Sequence, residues 1–209
     1  MARVTFLASL LLLASLAPAH PARADAQRDG AQRDAGLRDV VAAAISSKPC
    51  FEQKYDDVVW YAVMQPRVER RLREQSMDLR MGYDVGAAAQ RILRAVHCET
   101  SKQTMLRDRP QLVLAVIDVE SAFDPFVVSS AGAVGMMQVM PFWPRELGLS
   151  TRDLLDVEMN IRMGTSILAY YLERERGDYR RALARYNGSL GRRGYPDLVL
   201  ARLSSRWQR

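Results

Sequence analysis

Three short segments of the sequence carry residue types that are suited to chemistry, and the first contains a single acid. Glu120 follows an apolar run at residues 112–117. Burying an ionised carboxylate is costly and raises its pKa, and a carboxylic general acid needs a raised pKa near neutral pH. A glutamate that simply emerges into solvent at a helix end is the alternative. Asp118 would lie on another helix face, and Asp124, followed by a proline, is typical of a turn.

The second and third segments are a loop rich in small residues and a helix end that carries a tyrosine. Residues 129–141 read SSAGAVGMMQVMP. Their glycines let the backbone approach another molecule closely, and Met136 and Met140 offer an adaptable apolar wall. A glycine-rich turn with core methionines is the alternative. Residues 185–191, RYNGSLG, place the hydroxyl of Tyr186 at a turn, although a core tyrosine with a satisfied hydroxyl fits equally.

Composition excludes several other kinds of protein and site. The chain has 209 residues, a formal net charge of +6, two histidines and two cysteines, and 48% of its residues are hydrophobic. These proportions exclude wholesale disorder and a fibrous chain. Removal of His20 with an N-terminal leader leaves His97 alone, which excludes a multi-histidine metal centre. The sequence implies neither a metal nor a cofactor.

Residues 1–24 have the pattern of an export signal. Arg3 provides the positive start, residues 6–17 are mostly apolar, and residues 22–24 form an A-x-A cleavage site. The run is shorter than the roughly 20 apolar residues that span a bilayer. We therefore expect a periplasmic protein, free or peripherally associated with the envelope, and an uncleaved N-terminal helix is the alternative. Cleavage removes two arginines and no acid, so the charge falls from +6 to +4.

Export also determines how the two cysteines are interpreted. In an oxidising compartment a lone pair of cysteines forms one disulfide, here Cys50–Cys98. This bridge would close a loop of about 50 residues and contribute roughly 3–4 kcal/mol in the chain-entropy model. His97 precedes Cys98, but adjacent helical side chains diverge by about 100°. A Cys-His dyad is therefore not expected.

Helical periodicity dominates the rest of the chain, and no run of alternating strands occurs. The tandem repeat AQRDG-AQRDA at residues 26–35 lacks apolar periodicity and is typical of a solvated linker. Residues 112–117 are apolar on every face, which predicts a buried central helix, with a buried strand as the alternative. Pro66 is expected to end a helix that begins near Tyr55. Apolar spacing predicts further helices over 37–45, 85–96, 161–172, 179–186 and 196–207.

Taken together, the three segments resemble a known family. Glu120-Ser121, followed by S-x-x-G-A-x-G-M-M-Q-x-M-P at 129–141, resembles the lytic transglycosylases related to goose-type lysozyme. Asn160-Ile161-x-x-Gly164 is similar to the family's next motif, and Tyr186-Asn187-Gly188 to its last. The similarity covers residues 108–207. The chain departs from the family pattern at Met136, which replaces leucine, and at Arg185 and Gly188-Ser189, which replace small residues around the tyrosine.

The resemblance implies an organisation and an activity. It implies an all-α, lysozyme-like catalytic domain at 108–209, after a signal peptide at 1–24, a flexible linker at 25–47 and an N-terminal helical extension at 48–107. It further implies cleavage of the β-1,4 bond between N-acetylmuramic acid and N-acetylglucosamine of peptidoglycan, forming a 1,6-anhydro ring. Glu120 would be the single general acid and base, as in other one-carboxylate enzymes. The implied substrate-binding residues are Ser129, Gln138, Met136, Met140 and Tyr186, and the supporting residues are Ser121, Asn160 and Asn187.

Two other functions fit the same motifs. A goose-type muramidase would use Glu120 with an activated water and would release reducing muramic acid ends. A non-catalytic peptidoglycan-binding envelope protein would bind without turnover, although a pure binder does not require a carboxyl group. Nucleic acid is not expected as a partner, because a charge of +4 is modest and the arginines are scattered. The expected partner is the peptidoglycan glycan strand.

Overall fold

The computed structural model of the protein describes residues 34–47, 58–75 and 84–208. Within these ranges the chain forms eight α-helices and no named strand, which confirms the all-α fold class. The predicted signal peptide and Cys50 lie outside the described residues. The helices are α1 (Ala35–Ser46), α2 (Val58–Glu74), α3 (Val85–Ser101), α4 (Pro110–Glu120), α5 (Phe142–Glu146), α6 (Val157–Arg174), α7 (Tyr179–Tyr186) and α8 (Gly194–Arg202), with a 3₁₀ turn at Thr151–Leu155 and a π-turn at Leu203–Trp207.

Four of the helices begin at an aspartate that caps them. The carboxylate of each aspartate accepts a hydrogen bond from the backbone N–H three residues later. Such a cap satisfies a donor that the helix itself leaves open and contributes about 1 kcal/mol. The cap predicted at Asp178 is confirmed. The four caps are Asp34, Asp84, Asp156 and Asp178.

The core is organised around two helices, α4 and α6. Every residue of α4 from Leu112 to Asp118 is buried, which confirms the central helix and makes the strand alternative wrong. α4 packs against α3, α8 and the π-turn, and α6 packs against α1, α3 and α7. Across the described ranges, no helix has both the length and the apolar character that a membrane span requires.

Pro66 does not end a helix, contrary to the sequence prediction. It is exposed inside α2, which continues to Glu74. An interior proline costs about 3 kcal/mol because it removes one helical hydrogen bond and crowds the preceding turn. α2 offsets this cost by burying side chains at four-residue spacing on its opposite face, where they join the core. These side chains are Trp60, Met64, Val68 and Leu72.

The second difference concerns the predicted linker at 25–47. Its described part contains α1, in agreement with the helix predicted over 37–45. Leu37 and Val41 are buried where α1 packs against α6. Asp34 accepts a hydrogen bond from the hydroxyl of Tyr170 and forms an ion pair with Arg174. Residues 34–47 are therefore a packed element of the fold rather than a linker.

Candidate active site

Glu120 is the last residue of α4, and its side chain is half-buried. The chain reverses direction directly after it, because Ala122 and Phe123 have left-handed backbone conformations with φ of 53° and 69°. Non-glycine residues rarely adopt this region and do so at some cost. Phe123 is completely buried, and its ring packs against that of Trp207 at a centroid distance of 5.3 Å. This packing holds the turn that follows the acid.

The loop after this turn, residues 121–141, is closed by side chains that bond to its own backbone. The hydroxyl of Ser121 donates to the carbonyl of Met136 at 2.8 Å. Gln138, at φ 49°, donates from Nε2 to the carbonyls of Val127 and Gly135 at 3.1 and 3.0 Å. The amide nitrogen of Gln138 therefore stabilises the loop, and its amide oxygen is the part of this side chain that is suited to accept from a ligand.

Ser129 occupies a tight turn within the same loop and is half-buried. Its backbone N–H donates to the carbonyl of Ala133 at 2.9 Å, and its Oγ accepts from the N–H of Ala133 at 3.0 Å. Gly132 permits the turn because it has φ of 83°. The bond to Oγ uses a lone pair of the oxygen, so the hydroxyl proton is suited to donate to a ligand acceptor.

Asn160 of α6 fixes this loop to the body of the protein. Its Oδ1 accepts from the N–H of Met137 at 2.8 Å. Its Nδ2 donates to the carbonyls of Val134 and Leu154 at 2.8 and 2.9 Å. The side chain is buried, so these bonds are shielded from water. A Cβ on Gly135 would lie 2.5 Å from Asn160 Nδ2, so only glycine allows this close approach.

Met137 is held from two further directions. Its side chain packs on Gly164 of α6, where a Cβ would lie 2.6 Å from the sulfur. Its carbonyl accepts a hydrogen bond from the hydroxyl of Tyr186 at 2.7 Å. Tyr186 is buried, and burial, followed by the nearby negative charge of Glu120, raises the pKa of its hydroxyl well above the ordinary value. Tyr186 is therefore a neutral hydrogen-bond donor that braces the loop near the acid.

The structure adds a residue that sequence reasoning missed. The hydroxyl of Tyr195, in the first turn of α8, donates to Oε1 of Glu120 at 2.5 Å. The two residues are 75 positions apart, and no periodicity relates them. Tyr195 had no role in the sequence prediction, in which the last helix begins one residue later, at 196.

The remaining predicted site residues are either buried in the protein or located at the end of a helix. Met136 and Met140 are 2% and 8% exposed and belong to the hydrophobic core, so most of the predicted apolar wall faces inward. Asn187 is half-buried and ends α7, where its backbone N–H donates to the carbonyl of Leu183 at 3.1 Å. Cys98 is buried on α3, but Cys50 lies outside the described residues, so the disulfide stays a prediction.

The two acids nearest to Glu120 in sequence are engaged elsewhere. Asp118 is buried and pairs with Arg71 of α2 at 2.6 Å. Asp124 accepts a hydrogen bond from the backbone N–H of Phe126 at 2.8 Å, as the turn prediction requires. These contacts agree with the expectations that Asp118 points to another face of the helix and that Asp124 belongs to a turn.

The fold and the site define an all-α protein with one half-buried carboxylate at the end of its central helix. Residues 97–195, slightly less than half of the chain, match the family model of the Transglycosylase SLT domain. The match begins within α3, rather than at residue 108, and ends at Tyr195. It therefore includes Glu120, the loop at 121–141, Asn160 and Tyr186.

Relatives with assigned names agree with this family. A protein called "Transglycosylase" from Enterobacteria phage PRD1 is 32% identical over 102 residues, which is 46% of this chain and 37% of the phage protein. "Endo-type membrane-bound lytic murein transglycosylase A" of Klebsiella pneumoniae subsp. pneumoniae is 41% identical over 69 residues, 29% of this chain and 34% of that protein. "Membrane-bound lytic murein transglycosylase F" of Desulfosudis oleivorans is 42% identical over 59 residues, which is 28% of this chain and 13% of that protein. The matched segments thus span little more than a third of these relatives at most.

Proposed function

We propose that the protein is a peptidoglycan lytic transglycosylase that cleaves the β-1,4 bond after N-acetylmuramic acid and leaves a 1,6-anhydro end. The single observation that carries the proposal is the half-buried Glu120, bonded by Tyr195 inside a Transglycosylase SLT domain. Relatives named as lytic murein transglycosylases support the reaction class. The alternatives to be distinguished by experiment are a muramidase and a non-catalytic peptidoglycan-binding protein.

In this mechanism Glu120 acts twice. Its protonated carboxyl group first donates a proton to the glycosidic oxygen, and the bond from this oxygen to C1 of the muramyl residue breaks. The resulting carboxylate then takes the proton of the muramyl C6 hydroxyl, and O6 forms a bond to C1. The hydrogen bond from Tyr195 to Oε1 orients the carboxyl group for both proton transfers.

The contacts of the two described acids nearest to Glu120 in sequence are consistent with an internal nucleophile. Asp118 is buried in an ion pair with Arg71, and Asp124 accepts a hydrogen bond from the backbone N–H of Phe126 in the turn after α4. The muramyl C6 hydroxyl needs no second carboxylate, since it belongs to the substrate and its attack benefits from a high effective molarity.

The predicted binding residues keep their roles in this proposal, with one adjustment. Ser129 would donate from its hydroxyl, and Gln138 would accept through its amide oxygen, at sugar hydroxyl and acetamido groups. Met136 and Met140 would shape the loop mainly by packing into the hydrophobic core, because both side chains are buried. Tyr186, Asn160, Ser121 and Asn187 would support the loop and the helix ends.

We also propose that the protein acts in the cell envelope. The export pattern at residues 1–24 and the relatives named as membrane-bound transglycosylases support this location. A Cys50–Cys98 disulfide would then link the start of the predicted extension to α3. The same proposal retains residues 48–107 as an extension and 108–209 as the catalytic domain.

The test is a digestion of purified peptidoglycan by the wild-type protein and by Glu120→Gln, with products identified by mass spectrometry. Glutamine keeps the size of the side chain but cannot donate and recover the proton. We expect anhydro-muropeptides, one water lighter than hydrolysed products, from the wild type only, with thermal unfolding nearly unchanged in the variant. Hydrated products would support the muramidase, binding without products would support the binder, and a large loss of stability in the variant would make Glu120 a structural residue.

A further inference from the structure

Asp118 connects the last turn of α4 to two other parts of the chain. Asp118 precedes Glu120 by two residues in the sequence, and its side chain is completely buried. Oδ1 accepts from Nε of Arg71 on α2 at 2.6 Å, and Oδ2 accepts from Nε1 of Trp207 at 3.2 Å. Since residues two apart lie on different faces of a helix, these contacts form on a side of α4 that Glu120 does not occupy.

The C-terminal segment, which contains α8 and the π-turn, therefore contacts the last turn of α4 twice, once near the start of the segment and once near its end. Tyr195 at its start donates to Glu120, and Trp207 at its end donates to Asp118. The ring of Trp207 also packs against Phe123 in the left-handed turn that follows the acid. A shift of this segment relative to α4 would change the Tyr195–Glu120 bond and the turn together.

Two members of this contact lie outside the matched SLT domain. Arg71 belongs to the predicted N-terminal extension, and Trp207 follows the last matched residue. Arg71 compensates the charge of Asp118, because a buried carboxylate without a partner is strongly unfavourable. Arg206 of the C-terminal segment lies 3.9 Å from Oδ2 of the same carboxylate, whereas Arg71 makes the shorter contact, at 2.6 Å. The shorter ion pair therefore links α2 directly to the last turn of α4.

We propose that Arg71, Asp118 and Trp207 are positioning residues for Glu120, through which the N-terminal extension and the C-terminal segment set the Glu120–Tyr195 geometry. The inference rests on the proposed function, because it concerns the acid of that reaction. None of the three residues touches the substrate in this scheme. Their loss lowers kcat through misplacement of the carboxyl group, and it leaves KM nearly unchanged.

Trp207→Phe is the gentlest variant that tests this arrangement. Phenylalanine preserves a ring against Phe123 but removes the Nε1–H that Asp118 accepts. Asp118→Asn removes the charge at similar size, and Arg71→Met removes the contact from α2. The matched control is Glu99→Gln, which removes the charge from another buried ion pair, between Glu99 of α3 and Arg162 of α6 at 3.0 Å, neither of which belongs to α4.

Initial rates of anhydro-product release would be measured on soluble glycan strands, at a temperature where every variant is folded. We expect Trp207→Phe and Asp118→Asn to lower kcat roughly tenfold or more with KM within about twofold, since misplacing a catalytic group by about 1 Å costs up to a hundredfold. Glu99→Gln should lower the unfolding temperature while keeping kcat.

A double-mutant comparison separates positioning from a structural role. Tyr195→Phe removes the bond to Glu120, so Asp118→Asn combined with Tyr195→Phe should be no slower than Tyr195→Phe alone. Effects on kcat that multiply, or a kcat for Asp118→Asn and Trp207→Phe equal to that of Glu99→Gln, would overturn the inference while the wild type remains active. A wild-type protein that releases no anhydro-products would refute the proposed function, and this inference with it.

Discussion

Replacement of Asn160 by leucine is the most direct test of how the loop at residues 121–141 is held. Leucine has a similar size but offers no hydrogen bond. The N–H of Met137 would lose its acceptor, and the carbonyls of Val134 and Leu154 would each lose a donor in a buried region. The carbonyl of Val134 would still accept a hydrogen bond from the N–H of Val139, at 3.0 Å, so this carbonyl would lose only one of its two donors.

The expected cost follows from these contacts. An orphaned buried polar group costs about 1–3 kcal/mol, so Asn160→Leu should lower the free energy of unfolding by about 3 kcal/mol or more. At about 2–4 °C per kcal/mol for a domain of this size, Tm should fall by roughly 10 °C. Activity measured below that Tm should also fall, because the loop carries Ser129 and Gln138.

Calorimetry would measure the loss of stability, and the rate at which soluble products are released from peptidoglycan would measure the loss of activity. Ser166→Ala is the control on the same helix. The hydroxyl of Ser166 donates to the carbonyl of Arg162 within α6, at 2.9 Å, so its loss orphans no loop backbone group. We expect this control to cost less than about 1 kcal/mol. If Asn160→Leu were as stable and as active as Ser166→Ala, the reasoning that Asn160 holds the loop would be refuted.

Two further predictions concern stability. Gly164→Ala should lower Tm by several degrees although alanine favours helices, because its Cβ would lie 2.6 Å from Cβ and Sδ of Met137, and overpacking costs about 1–3 kcal/mol. Gly194→Ala, which meets no atom within 4 Å, is the control, and equal Tm values would contradict the packing argument. The hydrogen bond from Arg181 is the main cause that lowers the pKa of Glu175. A lowered folded pKa stabilises the fold above the unfolded pKa, and this stability is lost as pH falls through the folded pKa. Thermal unfolding of Glu175→Gln should therefore show a lower Tm than wild type at pH 7 and a smaller difference near pH 3, and a pH-independent difference would count against the pairing.

The helices were predictable where local chemistry determines them. The cap at Asp178 and the apolar run of α4 each depend on residues close in sequence, and the structure confirms both. Pro66 shows the limit of this reasoning. The local cost of the proline was clear, but the compensating burial of the α2 face depends on contacts with distant helices.

The site shows the same division. Glu120, Ser129, Gln138 and Asn160 were recognisable because each lies in a short motif. The contacts of Asn160 with the loop were not readable, because they join residues up to 26 positions apart. The bond from Tyr195 to the acid was missed for the same reason, at a separation of 75 residues.

The sequence by itself determined the all-α class, the ends of several helices and the acid at the end of the central helix. These features follow from periodicity, capping and burial cost, which act over a few residues. Only the tertiary structure decided which groups surround that acid: Tyr195 on its carboxylate, Tyr186 on the loop, and Arg71 and Trp207 on Asp118. Such contacts depend on how separate helices pack, and no local pattern encodes the distance between side chains that meet only after the chain has folded.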